Sequence, residues 1–224
     1  MKSRSILLMM LMFGMILFMT TVFAQESPEI PPPPSEPPQP DTRSFSAEQH
    51  ITRIDWFGRA NHSVATVYKS GPVIRYEQHH VDPPEISIFD YVQKKEYRVY
   101  EGDHIFFELD ITDRVRLRAQ REGLIPFVED PTIEVKHLSL GRTVVEGHPS
   151  EIILQVRRLK REKRPLAEYT LLWEALDLDR QPIRIAYHQT ARTLVVVEYR
   201  NLQPGPIDSA LLRVPAGYLS FTPF

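Results

Sequence analysis

The chain of 224 residues contains no cysteine. Disulfides, thiol catalysis, thiolate metal sites and a lipid-modified cysteine are therefore excluded. Glycine is scarce, at 9 residues, and never occurs as Gly-x-Gly. No phosphate-cradling loop is in view, and H-E-x-x-H and G-x-S-x-G are missing as well. Methionine is absent from everything beyond Met19. A dominant sign of charge is also lacking. There are 27 basic and 29 acidic residues, a net charge of −2, too mild a balance to point to nucleic acid.

The start of the chain has a separate character. Lys2 and Arg4 precede an uncharged run from Ile6 to Ala24, in which Val22 and Ala24 take the −3 and −1 positions of a cleavage site. The pattern predicts a signal peptide over residues 1–24, cut after Ala24. The competing reading is an uncleaved anchor, because the run is nearly long enough to span a bilayer. Removing Lys2 and Arg4 from the 27 basic residues leaves 25 against 29 acids, a net charge of −4. Residues 25–42 follow as a tether around "SPEIPPPPSEPPQP". Its proline density implies an extended spacer of roughly 3 Å per residue. A ligand for a proline-binding module is the alternative.

From residue 43 to 224 the pattern is that of one domain. Runs rich in Val, Ile, Tyr and Phe recur between Gly, Pro and Asp: "HITRIDWF", "ATVYKSGPVIRYEQ", "EISIFDYV", "KEYRVYEGDHIFFEL", "TIEVKHLSL", "RTVVEG", "SEIILQVRR", "EYTLLWEALDL", "PIRIAYHQ" and "TLVVVEYRNL". Short strands with short links predict an antiparallel meander, with Ile54 and Trp56 on one face of the first strand. One stretch departs from this. "DITDRVRLRAQREGL" has Val115 and Ala119 four apart, Thr112 or Asp113 to start it and Gly123 to stop it. It predicts a helix from about Asp113 to Glu122, with Arg114, Arg118 and Arg121 on the opposite side. A single helix is suited to cover the open side of a curved sheet and enclose an apolar cavity.

The motifs "LGRTVVEGHPSEIILQV", "LLWEALDLDRQPIRIAY" and "LVVVEYRNLQPGPIDSALLRVPAGY", with the hairpins before them, resemble the LolA/LolB-like superfamily of outer-membrane lipoprotein carriers. The likeness extends over most of Phe45 to Phe224. It implies a mainly β fold of the α+β kind: a strongly curved antiparallel half-barrel with one or a few helices on its concave side. It also implies a periplasmic, non-enzymatic protein that binds a lipid or the acyl chain of a lipoprotein. In such carriers an arginine after an early hairpin strand locks the helical lid. Lys69, beside Ser70, stands at the matching place and keeps the charge without the planar fork.

The candidate cavity residues are Trp56, Lys69, Tyr76, Phe107, Val115, Trp173 and Tyr199. No catalytic residue, metal site or cofactor is expected. A monomer is, with a lipid, an acylated protein or another envelope protein as partner. An envelope scaffold or sensor without ligand, and a hydrolase with a dispersed His/Asp site, are the alternatives. In "EQHHVDPPE", His79 and His80 point to opposite faces of an extended strand. His80 and Asp82, even joined by His104, make a thin metal site. In "VVEGHPSE", Gly147 and Pro149 make His148 a turn residue. The basic run Arg157 to Arg164 reads as a solvated hairpin loop, with anionic headgroups or an acidic protein as the alternative contact.

Overall fold

The structure is a computed structural model, and it describes residues 43–79, 84–127, 131–160 and 167–221. The predicted leader and tether, His80 and Asp82, and the part of the basic run beyond Lys160 lie outside the described residues.

The described residues form one unclosed, curved sheet of 12 strands, in the order β12-β6-β5-β4-β3-β2-β1-β11-β10-β9-β8-β7. The first meander comprises β1 (Ser44–Asp55), β2 (Ala60–Ser70), β3 (Val73–Gln78), β4 (Glu85–Asp90), β5 (Lys95–Tyr100) and β6 (Ile105–Asp110). The second comprises β7 (Ile133–Val145), β8 (His148–Leu159), β9 (Glu168–Ala175), β10 (Gln181–Thr190) and β11 (Thr193–Pro204). Antiparallel pairing of β1 with β11 joins the two meanders. The short β12 (Leu219–Ser220) runs parallel to β6. The mainly β, half-barrel expectation is therefore met. Among the described residues no helix is long and apolar enough to cross a membrane.

The structure corrects several local expectations. β1 ends at Asp55, so Trp56 does not share a strand face with Ile54. The reason is an Asx turn: the Asp55 carboxylate accepts from the backbone N–H of Phe57 and of Arg59, each at 2.9 Å, and takes over where the ladder stops. "TIEVKHLSL" and "RTVVEG" form one strand, β7, because a bulge at Leu140, between Ser139 and Gly141, takes up one residue and pairing resumes at the glycine. At the β7–β8 turn, Glu146 and Gly147 both have positive φ, as a two-residue hairpin turn of the primed kind requires. His148 is thus not at the tip; it is the first residue of β8 and pairs with Val145.

The helix α1 spans Asp113–Arg121. Thr112 caps its start by accepting from the Val115 N–H, and Glu122 is its C-cap. Gly123, at φ +71, closes it. Its N–H bonds to the Gln120 carbonyl, and that of Leu124 bonds to Ala119. This is a Schellman ending, which needs a left-handed residue. It turns Leu124 and Ile125 into the apolar cluster formed by Phe45, Ala47, Ile51, Val67, Ile74, Ile185, Tyr187, Val195, Val197 and Tyr199.

A second cover lies on the other face. Residues 205–218 cross β3–β6 as a strap, with Val214 and Tyr218 packed on Ile86, Ile88 and Val99. The pairs Tyr76↔Ser87, Ser87↔Arg98 and Arg98↔Phe107 define the face shared with α1. Ile86, Ile88 and Val99 alternate with them and so face the strap.

Candidate functional site: the covered concave face

The alternation of β1 places Phe45, Ala47, Gln49 and Ile51 on the α1 side. Gln49 is the polar member of that row and is buried. Its Nε2 donates to the Tyr199 hydroxyl at 2.9 Å and to the Glu122 carboxylate at 3.2 Å. The Tyr199 hydroxyl donates in turn to the Glu122 carbonyl at 2.7 Å. The other Glu122 oxygen accepts from Arg118 Nε at 2.8 Å, a pair in which Arg118 is half exposed and Glu122 buried. These contacts tie the end of α1 to β1 and β11. Arg118 is accordingly not a simple outward residue, since a buried carboxylate needs a partner and the i,i+4 spacing supplies one.

The apolar attachment of α1 itself is slight. Ala119 is its only buried residue, and Val115 is half-buried. Four phenols surround this polar end. Burial, then the negative charge of Glu122, raises Tyr76, Tyr91 and Tyr199 well above the ordinary phenol range, and Tyr187 to about 12. All four are neutral phenols at neutral pH.

The structure brings together some of the candidate cavity residues and separates others. Lys69, Tyr76, Phe107 and Tyr199 share the sheet face toward α1 by register. Lys69 is fully buried, and its Nζ donates to the Arg43 carbonyl at 3.0 Å. Gln49 and Tyr199, on the same face, bond to Glu122 at the helix end. Phe107 lies on β6, edge-on to Tyr100 and Phe221 at 5.4 and 5.3 Å. Trp173 pairs with Arg184, which pairs with Glu198 and so with His50, placing it on the face away from α1. Trp56 stands at the β1–β2 tip, 75% exposed. Gln49 and Glu122 were not among the candidates. The available signal was a polar residue at an inward position of an alternating strand.

A cavity of about 630 Å³ lies under the strap, not under α1. Val73, Ile88, Tyr97 and Phe106 line it with Leu212 and Val214 of the strap, and Asp90 and Glu108 are also on its wall.

The described residues contain no group of three or more His, Asp or Glu placed to hold a metal ion. His148 Nδ1 lies 2.9 Å from Asp177 Oδ2, which resembles part of a hydrolase dyad. The nearby Ser150 hydroxyl, however, donates to the His148 carbonyl and not to its ring. Ser150 is fully buried, so this arrangement offers no poised nucleophile.

No protein-family model matches the chain, and no curated protein matches it in sequence. Its structure is similar to several solved ones at low identity. An uncharacterised conserved protein from Thermus thermophilus is 10% identical, with 81% of this chain and 91% of that one covered and a TM-score of 0.47. A LolA superfamily protein from Nitrosomonas europaea is 10% identical, with 77% and 90% covered and a TM-score of 0.44. The lipoprotein LppX from Mycobacterium tuberculosis is 10% identical, with 73% and 88% covered and a TM-score of 0.40. At this level the similarity concerns the course of the chain, not its chemistry.

Proposed function

We propose that the protein is a non-enzymatic binding protein of the periplasm that takes a lipid or protein-bound acyl chain between α1 and the concave face. The carrying observation is how α1 is held: by one small buried side chain and a polar latch, above a broad apolar cluster. A helix that mainly supports a core would bury a stripe of large side chains. Here the covering element can lift when a few hydrogen bonds exchange, and the face below it is apolar. Tyr76, Val115 and Tyr199 line the entry in this reading, with Lys69 and Phe107 further along the same face. The periplasmic placement rests on Lys2, Arg4, Val22 and Ala24 of the leader.

Titration with a fluorescent fatty acid tests the proposal. The wild-type protein takes up the probe. Val115→Trp blocks uptake and leaves the melting temperature unchanged, since the added volume enters the ligand space. A lowered melting temperature with unchanged uptake overturns it.

One observation favours a second reading, an envelope interaction module. Trp56 and Phe57 at the β1–β2 tip are 75% and 80% exposed, and large aromatic side chains presented side by side on a turn suit a protein contact. A pull-down from envelope extract that loses its partner on Trp56→Ala, with no probe uptake by the wild type, selects this reading.

A further inference from the structure

The sheet face away from α1 carries two histidines that no feature of the latch uses. β1 and β2 pair with Thr52 opposite His62 and His50 opposite Val64, so the two imidazoles are diagonal neighbours on one face. Their ring centroids are 5.5 Å apart, and His50 Nδ1 lies 3.4 Å from His62 Nε2. The remaining nitrogen of each ring also has a partner. His50 Nε2 is 3.4 Å from Glu48 Oε2, and His62 Nδ1 is 3.1 Å from Thr52 Oγ1.

We propose that His50 and His62 together bind a zinc ion at the surface of this face. Glu48, as a carboxylate, can only accept, so the neutral His50 ring carries its proton on Nε2 and presents a bare Nδ1 toward His62. The Thr52 hydroxyl can accept from His62 Nδ1–H, which leaves His62 Nε2 bare as well. Two unprotonated ring nitrogens then stand 3.4 Å apart. Nitrogens bound tetrahedrally to zinc at about 2.0–2.1 Å stand roughly 3.3 Å apart, close to the separation already present. Metal-bound histidines characteristically donate their second N–H to a carboxylate or another oxygen, which orients the ring. Glu48 and Thr52 occupy those outer places. Imidazole donors select zinc and neighbouring transition metals over calcium or magnesium, which prefer oxygen.

With no third protein ligand in the described cluster, the other two coordination positions go to water or to a donor from an incoming molecule. The ion is therefore exchangeable, unlike a structural zinc closed by four side chains. The competing arrangement is metal-free. His62 Nε2–H would donate to His50 Nδ1, and the Thr52 hydroxyl to His62 Nδ1. The two arrangements differ in the tautomer of His62 and in the direction of the Thr52 hydroxyl, and zinc selects between them.

Calorimetric titration of the purified protein with zinc chloride, paired with nitrogen-15 NMR of the histidine rings, decides the matter. The expected result is one equivalent of zinc bound, with coordination shifts at His50 Nδ1 and His62 Nε2. Either His50→Ala or His62→Ala removes that binding. Glu48→Gln weakens it about 10-fold, as loss of an outer partner does. His79→Ala, which alters a surface histidine near Thr66, leaves it intact. Melts without zinc check that each variant is folded. The proposal is overturned if the wild-type protein binds no zinc up to millimolar concentration. It is equally overturned if binding survives both alanine substitutions or disappears with His79→Ala.

Discussion

Helix α1 and the strap of residues 205–218 cover opposite faces of one sheet, and different chemistry holds each. The helix end is fastened by a closed set of side-chain contacts among Gln49, Tyr199, Glu122 and Arg118. The strap is held by side-chain packing of Val214 and Tyr218 and by a bond from Arg75 to the Leu211 carbonyl at 3.0 Å. Beneath the strap an open cavity remains. A long curved sheet exposes two apolar faces, and a single short helix covers only part of one. The chain meets the remainder by changing the covered face part way along, at β3, where Ile74 faces the helix cluster and Arg75 faces the strap.

The comparison can be broken most severely at Gly123. Its left-handed backbone closes α1, and an added Cβ would lie 3.0 Å from Ile185 Cδ1. Gly123→Val combines backbone strain with crowding and is expected to cost about 2–4 kcal/mol, read by denaturant unfolding. Breaking the latch is milder. Glu122→Ala removes the partner of Gln49 and Arg118 and should cost about 1–3 kcal/mol, with Arg118 able to rehydrate because it is half exposed. It should also increase binding of an apolar dye at the concave face. On the strap side, Arg75→Ala should cost about 1–2 kcal/mol, from the bonds lost to Leu211 and Glu77. Proteolysis within residues 205–218 should then rise while the α1 side stays protected. Equal dye binding by Glu122→Ala and Arg75→Ala would show that the two covers are not independent.

The pH responses should differ as well. The phenols of the α1 cluster hold their protons in the folded state above the ordinary value near 10. Above about pH 10 the folded protein binds more protons than the unfolded chain, so stability falls as pH rises, by at most about 1.4 kcal/mol per unit for each phenol. For Tyr187 the loss runs up to about pH 12. Melts between pH 9 and 11 measure it, and Tyr187→Phe should flatten the slope. The smallest effect belongs to the surface pair. The His148 hydrogen bond holds the Asp177 carboxyl below its usual range. A depressed carboxyl contributes stability above its unfolded value, and that contribution disappears as pH falls through the folded one. His148→Ala removes that contribution at neutral pH, but because the pair is exposed the melting temperature should barely fall, as with most surface changes.

Period and punctuation alone made the strand series, the helix over Asp113–Arg121 and its stop at Gly123 legible, because these depend on local backbone preference and on which side chains recur on one face. The same reading put Ile54 and Trp56 on one face. It missed that Asp55 would capture the next two free N–H groups and end the strand, a competition between side chain and ladder that alternation does not register. The polar contacts at the helix end join Gln49, Glu122 and Tyr199, which are 73 to 150 residues apart in sequence, a separation that no local pattern reports.

The sequence by itself determined that this is a cysteine-free chain with a leader-like start, a proline-rich stretch and a long run of strand patterns broken by a single short helical one. Composition and spacing are properties of the chain, and no folding is needed to read them. Tertiary structure alone decided which face α1 covers, where the strap crosses and which polar groups meet. Each of these depends on the pairing of β1 with β11 and on strand register. A one-residue shift of β11 against β1 would put Tyr199 on the face opposite Gln49, and the same shift of β2 would put His62 on the face opposite His50.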